Sequence, residues 1–182
     1  MKKTLTLLIL FIYTFSFAQD VKEEDQKVQT KMEQFVSQTG VIIKFTDTKL
    51  SNLKAGYIVA ETRIRKLNSG DDVKYFYQIE KPGKYGSSTA SVEYSDLLEV
   101  IKAFNSLKSE VDSDVSNNPD YLENKFITED GFQLGYYVSK GKVKWYIKLE
   151  KYGSDKTLFI KDLESIDSSF AEAKSKIEEL KG

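Results

Sequence analysis

The 182-residue chain carries 27 basic and 28 acidic residues, a net charge of −1, and has neither cysteine nor histidine. These two absences exclude disulfide staples, His/Cys zinc sites and every catalytic triad built on histidine, and they leave no cysteine to carry a lipid. The near-neutral balance supplies no field that would draw in nucleic acid, so none is expected as a partner.

Residues 1–18 read as a signal peptide. Lys2 and Lys3 form a positive start, Leu5 to Phe15 is an almost continuous apolar run, and Ser16-Phe17-Ala18 places small residues three and one before the cut. The mature chain would begin at Gln19, keep 164 residues, and carry 25 basic against 28 acidic groups, a net charge of −3. An uncleaved membrane anchor is the alternative. No later segment approaches the roughly 18 apolar residues of a spanning helix. The expectation is therefore an exported chain, periplasmic or extracellular and soluble, without a lipid anchor on cysteine.

Residues 19–40 form the next segment. Val28, Met32 and Phe35 recur at helical intervals within Val21 to Gln38, and Gly40 stops the run, so an amino-terminal helix is expected. A first unit of strands and helix follows over 41–112. Val41 to Phe45, Tyr57 to Leu67, Val73 to Lys81 and Ser88 to Tyr94 are strand-like, with Asn68-Ser69-Gly70-Asp71 as a hairpin turn. A helix starts near Ser95-Asp96, with Asp96 as first-turn acceptor and Leu97, Ile101, Phe104 and Leu107 as its apolar stripe. Residues 113–121, with Asn117, Asn118 and Pro119, read as a linker.

The second unit, 122–182, repeats this order. Asn124 to Thr128, Phe132 to Val138, Val143 to Lys151 and Lys156 to Ile160 are its strands, separated by turns at Glu129-Asp130-Gly131 and Ser139-Lys140-Gly141. Its helix starts near Lys161-Asp162 and carries the stripe Leu163, Ile166, Phe170, Ala173, Ile177 and Leu180. Val73 to Lys81 aligns with Val143 to Lys151 without a gap at an offset of 70, Tyr85-Gly86-Ser87 recurs as Tyr152-Gly153-Ser154, and the helices match at an offset of 66. Agreement of strand, turn and helix face points to tandem duplication. The fold expected is α+β, with two tandem-related halves, each an antiparallel β-meander followed by an α-helix, plus the amino-terminal helix. The two meanders are able to share one continuous sheet.

Chemistry is harder to locate. Asp112, Asp114, Ser116, Asp120 and Glu123 fall in the ligand register of a helix-loop-helix calcium loop, but Asn117 replaces the turn glycine and Pro119 occupies an apolar position. A solvated acidic linker is the simpler reading, and no metal or cofactor is expected. Asp71-Asp72, Glu129-Asp130, Glu80 and Glu150 are candidate carboxylates for acid–base work, with turn or strand-edge charge as their plainer role. Arg63, Arg65, Lys66, Lys142 and Lys144 could line a basic strip, but the acids interspersed among them make a solvated, mixed-charge face the simpler reading.

Aromatic positions are the more suggestive signal. Phe76 and Tyr146 occupy equivalent sites opposite the apolar faces of their strands, and Tyr85 and Tyr152 sit in equivalent loops. These four residues are the candidate partner-binding positions, for a protein, peptide or glycan; for Phe76 and Tyr146, burial under the amino-terminal helix or a second sheet is the simpler reading and a binding face the alternative. The functional expectation is an exported, non-enzymatic binding or interaction module. A carboxylate-dependent hydrolase acting on a glycan and a structural envelope protein are the alternatives.

Overall fold

A computed structural model describes residues 29–84, 86–150 and 156–182. The elements are α1 (Lys31–Val36), β1 (Ile43–Lys49), β2 (Leu53–Ala55), β3 (Ile58–Ser69), β4 (Asp72–Gly83), β5 (Gly86–Glu93) and α2 (Tyr94–Ser116), then β6 (Tyr121–Ile127), β7 (Gln133–Ser139), β8 (Lys142–Lys148), β9 (Thr157–Ile160) and α3 (Leu163–Lys181). The architecture is α+β, with two antiparallel sheets. The first runs β1-β3-β4-β5 with β2 paired to β3, and the second runs β6-β7-β8-β9. One continuous sheet shared by both units is not what forms.

Period-two patterning decides which side chains enter the core. On β4, Tyr75, Tyr77 and Ile79 join the main core, and on β8 Trp145 and Ile147 do the same. The hairpin between β7 and β8 turns at Lys140 and Gly141, both with positive φ (51° and 70°), as the tight turn that matches strand twist requires. Gly70, at +59°, opens the corresponding turn between β3 and β4.

Several boundaries depart from the sequence expectation. α2 continues to Ser116, so the first residues of the expected linker are helical, and Asn118 then turns the chain at a φ of 48°. Glu93 is the N-cap of α2 and makes no side-chain cap bond; the Asp96 carboxylate is taken instead by Lys31 Nζ at 2.6 Å. Asp162 does cap α3, accepting from the Glu164 amide at 3.0 Å. β2, a three-residue strand, carries too little periodicity to be read in advance. Of the expected helix from Val21 to Gln38, Lys31–Val36 is helical, and the part before residue 29 lies outside the described residues, as do residues 1–18.

The two sheets meet through the helices. α2 touches β4 and β5 of the first sheet and β6, β7 and β8 of the second, while α3 packs on β2 and β3 and along α2. Thus the helix that closes the second unit covers the sheet of the first. At the centre the rings interlock edge to face: Tyr77 on β4 meets Phe170 on α3 (6.1 Å), Phe170 meets Phe104 on α2 (6.2 Å), and Phe104 meets Trp145 on β8 (5.5 Å). Tyr136 on β7 completes the chain, 4.8 Å from Trp145. The Tyr77 hydroxyl, fully buried, is satisfied by Ser169 Oγ of α3 at 2.6 Å.

Phe104 is 1% exposed and couples both helices to the second sheet. Phe104→Ala should therefore cost about 3–5 kcal/mol, from lost burial plus the cavity left behind. Phe159→Ala, at a ring 54% exposed, should stay within about 0.5 kcal/mol. Urea titration followed by fluorescence of the single tryptophan, buried Trp145, checks both; equal costs would contradict this placement of the core.

Candidate functional site

The outer faces of the two sheets differ. On the first, Leu67 and Phe76 are covered by α1, which lays Phe35 and Met32 over them beside Ile43. Phe76 is fully buried, so the expectation of an exposed binding ring there is corrected: its side of β4 is a second, small core. α1 is fixed by a capping box at Thr30 and Glu33. Its Lys31 amide donates to both Asp130 carboxylate oxygens at 3.0 and 3.1 Å, and Lys31 Nζ lies 2.6 Å from Asp96 and 3.8 Å from Glu93. Burial raises the Asp130 carboxyl above the ordinary aspartate range, against the helix-end bond that favours its charge.

Much of the rest of the first outer face is ion-paired, with Phe45, 5.9 Å from Arg65, and Val59 left half exposed. Arg63 pairs with Glu80 at 2.6 Å, Arg65 forms a two-pronged pair with Asp47 at 2.7 and 2.6 Å, and Lys74 meets Glu93 at 2.8 Å. The expected basic strip does not form. Arg63 and Arg65 are neutralised here, Lys66 lies on the core side over Tyr75 (5.5 Å), and Lys142 and Lys144 belong to the other sheet. Three of the candidate carboxylates are also engaged: Glu80 by Arg63, Asp130 by Lys31, and Glu150 by the Thr89 amide at 3.0 Å.

No helix among the described residues covers the outer face of the second sheet. Its register sets Glu123, Tyr137 and Lys144 in one row across β6, β7 and β8, and Lys125, Gly135, Tyr146 and Phe159 in the next row across all four strands. Tyr121 and Phe159 are 61% and 54% exposed. Tyr121 stacks on Tyr137 with centroids 6.1 Å apart and planes at 27°, and Lys144 Nζ sits 5.8 Å from the Tyr137 ring centre.

Tyr146 lies in the middle of this face yet is only 6% exposed, so it too is corrected as a presented ring. Its hydroxyl donates to Glu123 Oε1 at 2.6 Å, from β8 to β6. Two strand spacings, about 9.5 Å, separate those strands, so the ring must lie across β7. Its partner there is Gly135, where a Cβ would strike the Asn124 carbonyl and lie 2.6 Å from Lys125 Cβ. Glycine thus lets β6 come close and leaves a trough for the tyrosine. Burial, then the Glu123 charge, holds the phenol protonated far above its usual range; the Tyr146 bond in turn lowers the Glu123 carboxyl, helped by Lys125 at 3.0 Å.

Tyr85 and Tyr152 lie outside the described residues. The calcium-like register does not form a loop: Asp112, Asp114 and Ser116 are on α2, Asp114 accepts from the Tyr136 hydroxyl at 2.5 Å, and Glu123 belongs to the tyrosine pair above. Burial and the Asp114 charge push the Tyr136 hydroxyl up to about 12. A polar cleft of about 310 Å³ lies between Ser51, Asn52 and Lys54 and the α3 residues Ser165, Ser168 and Glu172, but Glu172 is held there by the Ser51 amide at 3.1 Å. Tyr121, Lys148 and Phe159 were missed as site residues; the lysines at alternate positions of β8 were the signal that would have found this face.

Comparison of the chain with family models, with curated proteins and with solved structures gives no match.

Tyr146→Phe should raise the Glu123 carboxyl and cost about 1 kcal/mol at pH 7. Glu123 has a lowered folded value, so its contribution is full above the free-glutamate value, about 4.3, and fades as pH falls through the folded one. The wild-type advantage should vanish in acid. Carboxyl NMR titration with denaturation at both pH extremes checks this; an unmoved Glu123 titration would break the assignment.

Proposed function

We propose that this chain is an exported, non-enzymatic binding module, made by tandem duplication of a meander-and-helix unit, with the outer face of its second sheet as the working surface. The carrying observation is the contrast between the two outer faces. One is roofed at its centre by α1 and has its arginines ion-paired, with Phe45 left exposed beside Arg65. Among the described residues the other has no covering helix and presents Tyr121, Ile127 and Phe159 at 61%, 49% and 54% exposure, beside lysines that form no ion pair. Tyr121 and Ile127 stand at the two ends of β6 and Phe159 on the opposite edge strand β9, so the exposed apolar groups frame one uncovered face, a surface suited to contact. The sheet suits such a role because Gly135, Tyr146 and Glu123 lock the central side chains and leave the outer rings and lysines in fixed positions.

Export is supported by the order of charge, apolar run and small residues over 1–18. Duplication is supported by the gapless match of Val73 to Lys81 with Val143 to Lys151, segments that overlap β4 and β8, each followed by one further strand and a helix. The non-enzymatic reading is supported by the structural partners held by the candidate carboxylates Glu80, Asp130 and Glu150.

Lysine acylation provides the test. With the folded protein mixed into an envelope and extracellular extract, Lys125, Lys142, Lys144 and Lys148 should become protected, while Lys102 on α2, whose side chain is 73% exposed, should react as before. Uniform reactivity, or protection spread equally over α2, would refute the assignment of this face.

A further inference from the structure

The charge on this second face points to a partner class. β8 presents Lys142, Lys144 and Lys148 on the outer side, and β6 adds Lys125. Glu123 is the one carboxylate in the described register of this face, and it is already bound by Lys125 and the Tyr146 hydroxyl. Lys142 and Lys148 form no ion pair among the described residues, whereas Arg63, Arg65 and Lys74 on the first sheet are each matched by an acid. A chain whose overall charge is −1 therefore concentrates uncompensated positive charge on the same surface that carries its exposed rings.

Geometry narrows the choice. At about 3.3 Å per residue, Lys142 and Lys144 are spaced by roughly 6.6 Å and Lys144 and Lys148 by roughly 13 Å, a line of ammonium groups along one strand. Tyr121 and Tyr137 flank one side of that line, and Phe159, on β9, flanks the other. β7 and β8 are interior strands whose amides and carbonyls are spent in the ladders, so this face offers side chains alone. A peptide main chain laid on it would find no backbone partners, in contrast to recognition at a sheet edge. A sugar ring needs none: its C–H face stacks on an aromatic ring, whose π cloud is negative, while its carboxylates or sulfates meet the lysines.

We infer that the second sheet binds an anionic polysaccharide lying along β8, with Lys142, Lys144 and Lys148 holding its acid groups and Tyr121 and Phe159 stacking on its rings. This rests on the binding-module reading and specifies its partner.

Affinity electrophoresis and calorimetry of the mature chain at low salt test it with four probes: polygalacturonate, neutral dextran, poly-L-glutamate and a single-stranded oligonucleotide. The expected result is binding to polygalacturonate that weakens as salt rises, little or none to dextran, and clearly weaker binding to the other two polyanions. The triple variant Lys142→Gln, Lys144→Gln, Lys148→Gln should lose about tenfold or more, the sum of three exposed ion pairs. Tyr121→Ala with Phe159→Ala should lose several-fold at unchanged Trp145 fluorescence.

Poly-L-glutamate or the oligonucleotide binding as tightly as polygalacturonate would overturn the polysaccharide while leaving the face as a binding surface. So would no affinity for polygalacturonate together with lysine protection in extract. Polygalacturonate binding that ignores both variants would overturn the placement on this face. Absence of both binding and protection would sink this inference and the binding-module reading together.

Discussion

The chain of aromatic rings from Tyr77 through Phe170, Phe104 and Trp145, edge to face, and on to Tyr136, tilted against Trp145, is the contact on which the architecture depends. Each ring comes from a different element, β4, α3, α2, β8 and β7, so the chain passes from one sheet to the other through both helices. Neither sheet has a helix of its own to bury it: α3 closes over β2 and β3, and α2 spans both sheets. The halves are therefore mutually dependent. Dispersion and quadrupole attraction between rings, together with the apolar area they remove from water, supply a stability that no disulfide is present to provide.

With both inner faces committed to that core, the outer faces are left to differ. A six-residue helix is too short to persist alone, and α1 holds its place because Phe35 and Met32 bury apolar area on Leu67 and Phe76 while Asp130 and Asp96 grip Lys31. That roof covers Leu67 and Phe76 at the centre of the first sheet and leaves Phe45 and Val59 at its margins exposed. On the second sheet the same alternation produces a different result, because Gly135 creates a trough, Tyr146 fills it, and the other outward positions include four lysines, the exposed rings Tyr121 and Phe159, and one carboxylate, Glu123. The two antiparallel sheets thus differ, one with a largely stabilising outer face and the other with an open, positively charged one.

Much of this was legible in sequence because period-two alternation and turn chemistry are local. The alternation of Val73, Tyr75, Tyr77 and Ile79 placed those residues on one face, and the glycines at 70 and 141 marked hairpins that form with positive φ. Asp162 was readable as a cap since its partner lies two residues on. Asp96 was not, because its partner Lys31 lies 65 residues away and outcompetes the local amides. The calcium-like register failed for a related reason: helix propensity and packing extend α2 to Ser116, and a helix separates ligands that a loop would gather.

The amino-acid sequence by itself determined the α+β class, the strand and helix order, which side chains of each strand share a face, and the exclusion of histidine and cysteine chemistry, all consequences of composition and short-range periodicity. Only the tertiary structure decided which face is covered. Phe76 and Tyr146 occupy matching positions when Val73 to Lys81 is aligned with Val143 to Lys151, yet one is buried by a helix from the amino-terminal side and the other by lying across Gly135 to a carboxylate two strands away. Solvent exposure depends on what long-range packing brings over a residue, and alternation along a strand carries no information about that neighbour.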